Sequence, residues 1–113
     1  RKKNNHLNVL SKQIIECIPK DLKDIVIAYE PIWSIGTGVT PSSDEILEVI
    51  NFIKKFLKKN NFSNKFSILY GGSVNSSNID SIISISKADG VLIGGASIDI
   101  NEISKILSYF YFN

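Results

Sequence analysis

Apolar side chains recur at three- and four-residue spacing in Leu7, Leu10, Ile14 and Ile18, which predicts an amphipathic helix over residues 7–18. Pro19 ends it, because proline lacks a backbone donor and clashes with the preceding turn. The sole cysteine, Cys17, falls in line with this stripe and reads as a small buried apolar residue of a reduced compartment. Ile25-Val26-Ile27-Ala28-Tyr29 is apolar on both alternations, as expected of a parallel strand covered on both faces. Ser42 followed by Glu45 is a capping-box pattern, and Ile46, Leu47, Val49, Ile50, Ile53, Phe56 and Leu57 continue it as one helical stripe. Phe66–Tyr70 predicts a second strand ending at Gly71-Gly72, and Ile79, Ile82 and Ile83 mark another helix. Val91-Leu92-Ile93 predicts a third strand ending at Gly94-Gly95. A last helix opens at Asp99 with a second capping box through Glu102 and turns Ile103, Ile106, Leu107 and Phe110 inward. Tyr109, Tyr111 and Phe112 lie partly off that stripe and suit an edge or a neighbouring element. Strand and helix alternate with few residues between them, the mark of a βα repeat and an α/β fold.

The 113 residues, 43% of them hydrophobic, suffice for one modest domain, residues 1–113, and not for two. No methionine occurs, so Arg1 reads as an arbitrary start within a longer reading frame and the chain as a partial domain. A net charge of +2 gives no footprint for nucleic acid or an anionic membrane. Lys54, Lys55, Lys58 and Lys59 cluster in the last turns of a predicted helix, where cations meet the negative end of the helix dipole. No apolar run approaches the roughly 20 residues that span a bilayer, and no signal-peptide pattern opens the chain. A cytoplasmic location is therefore expected.

Every predicted strand ends in residues suited to chemistry. The carboxyl ends of parallel strands are where α/β proteins bind ligands, so three consecutive ends are expected to converge on one site. Gly72-Ser73 and Gly94-Gly95 offer main-chain N–H groups to an anion such as a phosphate, and Ala96-Ser97 suit a short helical turn beyond them. A plain tight turn is the alternative for either pair alone. Glu30 is the one carboxylate at the mouth of a strand; next to Ile32 and Trp33 it is expected to be partly desolvated, which suits a base. Its bland reading is a loop glutamate paired with a lysine. Residues 31–41, with proline at both ends and Gly36-Thr37-Gly38 within, form a long loop for a βα unit and suit a lid moving as a body, with Trp33 and Ile35 covering something. His6, the only histidine, is expected to be solvent-exposed ahead of the first helix. No metal-ligand spacing, Walker-type loop or hydrolytic triad appears, so hydrolytic-triad and metal mechanisms find no support.

These residues resemble one family, triosephosphate isomerase. Its signature stands here as Ala28-Tyr29-Glu30-Pro31-Ile32-Trp33-Ser34-Ile35-Gly36-Thr37-Gly38, its Tyr-Gly-Gly-Ser-Val as residues 70–74, and its Gly-Gly-Ala-Ser as residues 94–97. The resemblance runs from about Leu7 to Asn113. It implies strands six to eight, with their helices, of an eight-stranded β/α barrel. It also implies an aldose-ketose isomerase of glycolysis and gluconeogenesis, cofactor-free and homodimeric, interconverting dihydroxyacetone phosphate and glyceraldehyde 3-phosphate. Glu30 would be the general base, and Gly36, Ser73, Gly94 and Gly95 the donors around the substrate phosphate. Pro31, Ile32, Trp33, Ser34, Ile35, Gly36, Thr37, Gly38, Val39, Thr40 and Pro41 would be the closing lid. The family's substrate Asn and Lys and its electrophilic His match nothing here, so this polypeptide alone is expected to be inactive.

Two lid positions depart from the pattern: Val39 stands where lysine is usual and Pro41 where a small residue is usual, a register fixed by Glu48-Val49 and Phe52-Ile53. The resemblance implies that Tyr70 holds the closed lid through a backbone N–H at its far hinge, and Pro41 has none to give. Tyr70→Phe is therefore expected to matter little, and Ser73→Ala more, as a loss of both latch and phosphate donor. Two other readings stand beside the isomerase: another phosphate-binding barrel enzyme, against which Glu30–Gly38 speaks, and a binding module without catalysis.

Overall fold

The computed structural model describes residues 5–62 and 65–112, except for the side chain of Phe112. The expectation for that side chain, and Arg1 and Asn113, lie outside what it describes. Four helices and three strands alternate: α1 (His6–Cys17), β1 (Asp24–Tyr29), α2 (Ser43–Lys59), β2 (Lys65–Gly71), α3 (Ile79–Ser86), β3 (Gly90–Leu92) and α4 (Ile100–Phe112). Short 3-10 turns occupy Ile32–Ser34 and Gly95–Ile98. The strands form one parallel sheet in the order β1-β2-β3, with Ile25 opposite Phe66, Ile27 opposite Ile68 and Tyr29 opposite Tyr70. Leu69 pairs with Gly90 and Gly71 with Leu92, which brings all three strand ends to one edge of the sheet.

Alternation along each strand sends Ile25, Tyr29, Ile68 and Tyr70 into the core with Ile46, Val49, Ile50, Ile53 and Leu57 of α2. The capping box of α2 is complete: the Ser42 hydroxyl accepts from the Glu45 N–H, and the Glu45 carboxylate accepts from the Ser42 N–H, both at 3.1 Å. Such a cap contributes about 1 kcal/mol, and Lys58 and Lys59 favour the dipole at the far end. Asp89 stitches β2 to the start of β3, accepting from the Ile68 N–H and donating its own N–H to the Ile68 carbonyl, each at 2.8 Å.

Four expectations are corrected. β1 is covered on one face only: Val26 is 68% exposed, because among the described residues no element lies over the opposite face of the three strands. Cys17 is exposed, since the fully buried position of α1 is Ile14 and Cys17 borders a groove of about 790 Å³ between α1 and β1. Of the α4 stripe, Ile106 is buried while Leu107 and Phe110 are exposed, because α4 stands at the open end of the array and touches α3 only lightly. His6 begins α1 half-buried, with both ring nitrogens withdrawn from solvent. Tyr109 does cover a neighbour: it packs on the core and hydrogen bonds Asp80 of α3. Tyr111 remains exposed.

Candidate functional site

A cleft of about 390 Å³ opens at the carboxyl ends of the strands, lined by Glu30, Ile35, Gly36, Gly38, Gly72, Ser73, Val74, Asn75 and residues 92–96. All the residues singled out for chemistry, Glu30, Gly36, Ser73, Gly94 and Gly95, thus share one cavity. Glu30 contributes the only titratable side chain in that lining. It leaves β1 directly, and its side chain lies over Gly71. A Cβ at Gly71 would fall 2.8 Å from the Glu30 Cγ, so only a bare backbone allows the carboxylate to sit there. The desolvation expected from Ile32 and Trp33 is absent: Glu30 is exposed, and those two side chains leave 87% and 40% of their own surface in solvent.

Loop 31–41 is anchored at its ends by buried Pro31 and Pro41 and ordered between them by hydrogen bonds, since Trp33 and Ile35 are exposed. The Ser73 hydroxyl donates to the Ser34 carbonyl at 2.6 Å and accepts from the Gly38 N–H at 3.0 Å. The latch expected near Gly38 is therefore made, but that hydroxyl's single proton is committed to the loop. Any phosphate contact by Ser73 falls to its main-chain N–H, which an alanine would retain. Ser73 itself adopts a left-handed φ of 52°. Asn78 steadies it by donating from Nδ2 to the Ser73 carbonyl at 2.9 Å.

Tyr70 is fully buried, and its hydroxyl meets the loop at Ser34 instead of at Pro41. Its Oη lies 3.1 Å from the Ser34 Oγ and donates to the Gly72 carbonyl at 3.0 Å. Burial pushes the Tyr70 phenol above its ordinary range, the Ser34 hydrogen bond opposing this more weakly. The expectation that Tyr70 lacks a partner in the loop is thus overturned. Pro41 is buried and Ser34 reaches inward in its place. The sequence places Ser34 in the lid but does not mark it as a link; its signal is a hydroxyl inside an otherwise apolar stretch.

Gly72 makes this meeting possible. Its φ of 137° is rarely adopted by residues with side chains, and a Cβ there would fall 2.7 Å from the Ser34 Oγ and 2.8 Å from the Tyr70 Oη. Gly72→Ala is expected to cost about 1–3 kcal/mol through backbone strain alone and to push loop 31–41 outward. Denaturant unfolding of the complete protein checks this, and an unchanged midpoint would refute it.

Glu102 ties the start of α4 to the glycine-bearing turn after β2. The second capping box forms only by half: Asp99 accepts from the N–H groups of Asn101 at 2.9 Å and Glu102 at 3.3 Å, but the Glu102 carboxylate turns away from Asp99. It accepts instead from the Ser76 N–H at 2.9 Å and the Ser76 hydroxyl at 2.7 Å, linking α4 to the turn after β2. The Ser76 N–H, then its hydroxyl, hold the Glu102 carboxyl below its usual range. A depressed folded pKa stabilises the link above the unfolded value, and that contribution disappears as pH falls through the folded one. The Ser76 amide shift in the complete protein should therefore titrate with a midpoint below the ~4.3 of a free glutamate. A midpoint at or above that value would contradict the link.

The family model for triosephosphate isomerase matches residues 1–110. The chain belongs to that family. The triosephosphate isomerase of Amoebophilus asiaticus is 45% identical over 114 residues, covering 95% of this chain and 45% of that protein. The triosephosphate isomerase of Jannaschia sp. is 40% identical over 112 residues, with 96% and 45% covered. In three dimensions, the triosephosphate isomerase crystal structure from Bartonella henselae superposes with a TM-score of 0.81 at 34% identity, covering 98% of this chain and 46% of that one. The three-stranded array is thus part of a triosephosphate isomerase barrel, and the chain spans just under half the length of the relatives it matches.

Proposed function

We propose that residues 1–113 are the C-terminal part of a single barrel domain, strands six to eight with their helices, and that the complete protein is a triosephosphate isomerase. The observation that carries this reading is the cleft itself: one carboxylate, Glu30, faces glycine-rich turns with no second titratable group in the lining. A lone base opposite main-chain donors suits proton transfer on a small phosphorylated carbonyl compound. The substrates are dihydroxyacetone phosphate and D-glyceraldehyde 3-phosphate, and the reaction serves glycolysis and gluconeogenesis.

In the forward direction, the Glu30 carboxylate takes a proton from the hydroxyl-bearing carbon beside the carbonyl. The electron pair left behind forms the carbon–carbon double bond of an enediolate, whose charge settles on the former carbonyl oxygen. The protonated Glu30 then returns its proton to the neighbouring carbon while the proton of the adjacent hydroxyl passes to the former carbonyl oxygen, so that the old hydroxyl becomes the new carbonyl, the old carbonyl becomes a hydroxyl, and no other co-reactant is consumed. Main-chain N–H groups at Gly36, Ser73, Gly94 and Gly95 hold the phosphate, since glycine allows a backbone to approach an anion closely. Residues 31–41 act as the lid; by excluding water they strengthen every polar contact inside and protect the reactive enediolate. The family's electrophilic His and its substrate Asn and Lys belong to the portion of the barrel beyond this chain. A cytoplasmic homodimer without cofactor completes the reading. Its test is turnover of dihydroxyacetone phosphate by the complete protein and the dependence of that turnover on Glu30.

A further inference from the structure

Loop 31–41 is held from below by two hydroxyl-bearing residues of the β2 end, and the contacts are not alike. Ser73 grips main-chain atoms at Ser34 and Gly38. Tyr70 grips a side chain, the hydroxyl of Ser34. Ser34 is 0% exposed, and its Oγ donates to the Val39 carbonyl at 2.6 Å. One small side chain thus joins the first arm of the loop to its last arm and both arms to the sheet.

Proton bookkeeping shows how the joint is wired. Three contacts involve the two hydroxyls: Ser34 with Val39, Tyr70 with Gly72, and Ser34 with Tyr70. Each hydroxyl carries one proton, so two protons serve three contacts. The Val39 contact is the shortest and fixes the Ser34 proton. Tyr70 must then divide its proton between the Gly72 carbonyl and the Ser34 lone pair. When it donates to Ser34, the chain Tyr70 to Ser34 to Val39 runs in one direction, and each bond polarises the next. Pro41, two residues past Val39, has no N–H to offer Tyr70; among the described residues Ser34 is the loop's side-chain link to that phenol.

We propose that the Ser34 hydroxyl is a positioning residue that relays the grip of Tyr70 to the Val39 end of the loop, and that the closed state of the lid depends on it. This rests on the reading of residues 31–41 as the lid. Ser34→Ala removes both of its hydrogen bonds, whereas Tyr70→Phe leaves the Ser34-to-Val39 bond in place. The double variant should therefore resemble Ser34→Ala alone.

The test is backbone hydrogen exchange on peptides from residues 31–41 of the complete protein, together with kcat/KM toward dihydroxyacetone phosphate. Ser34→Ala should speed exchange of the loop amides and lower kcat/KM by about 3- to 10-fold, the size of one lost hydrogen bond. Its pH profile should stay unchanged, because Glu30 is untouched, while its unfolding midpoint should fall only by the modest amount that the buried Ser34 hydrogen bonds contribute. Tyr70→Phe should show a smaller change in the same amides. Unchanged loop exchange in Ser34→Ala, or effects of the two single variants that multiply in the double, would overturn the relay. Should Ser34→Ala fail to fold, faster exchange confined to the loop in Tyr70→Phe supports the relay, and exchange equal to the parent overturns it. A parent protein without isomerase activity whose loop exchange behaves as described would overturn the proposed function while upholding the relay.

Discussion

Glu30→Gln in the complete protein is expected to lower kcat by about 10²–10⁴-fold, the loss typical of a missing general base. Glutamine has the size and shape of glutamate, so Gly71 accommodates it equally well and the cleft keeps its form. What it lacks is a basic oxygen that can take a proton from carbon. KM should change much less than kcat, because the donors proposed for the phosphate are main-chain groups on other turns. Nothing else in the lining is able to substitute, since Glu30 is its only titratable side chain. Glu30→Asp sharpens the test: the carboxylate stays basic but withdraws by one methylene, and a displacement of about 1 Å at a reacting centre costs on the order of 10²-fold. Glu48, exposed on α2, gives a control in which Gln should leave the rate unchanged. A Glu30→Gln variant retaining most of its kcat would remove Glu30 from the mechanism.

The elements that position this site were legible because each is written in local chemistry. The capping box at Ser42 and Glu45 needs only a four-residue span, and it forms in full. The βα order followed from apolar runs ending in glycine pairs, and those ends do share a cleft. Periodicity is a weaker guide to what covers a side chain. It identified Val26, Leu107 and Phe110 as apolar, but it carries no information about which element lies opposite, and within this array none does. Hydroxyl and carboxylate partners were the least legible. Glu102 had a local partner by spacing and chose Ser76, 26 residues away, where it accepts two hydrogen bonds. Tyr70 likewise found Ser34 across 36 residues, through a gap that exists because Gly72 has no Cβ. Such choices depend on backbone approach, which a one-dimensional pattern does not encode.

The 113-residue polypeptide by itself is expected to show no isomerisation above the rate in buffer. Its reason is geometric before it is chemical. A parallel sheet is stable when both faces are covered, and among the described residues the face carrying Val26 and Ala28 is open while β1 and β3 both leave an edge without a further strand. The groove of about 790 Å³ between α1 and β1 has a largely apolar lining that includes Val9, Ile14, Ile27 and Ile32. An exposed surface of this kind, beside unpaired strand edges, favours association with other copies. Sedimentation should therefore show mass increasing with concentration, and an apolar dye should bind. The lid meets the same difficulty: Ile32, Trp33 and Ile35 are exposed, so between its buried end prolines its order rests on the few hydrogen bonds from Ser34, Ser73 and Thr37. Each neutral bond of that kind contributes only about 0.5–1.5 kcal/mol net, too little to keep Glu30 shielded from water. A base in open water, facing no electrophile, lacks both the desolvation and the polarised carbonyl that make carbon acidic enough to lose a proton. Measurable conversion of dihydroxyacetone phosphate by the purified 113-residue chain would show that three strands suffice, and would overturn the assignment of essential groups to the remainder of the barrel.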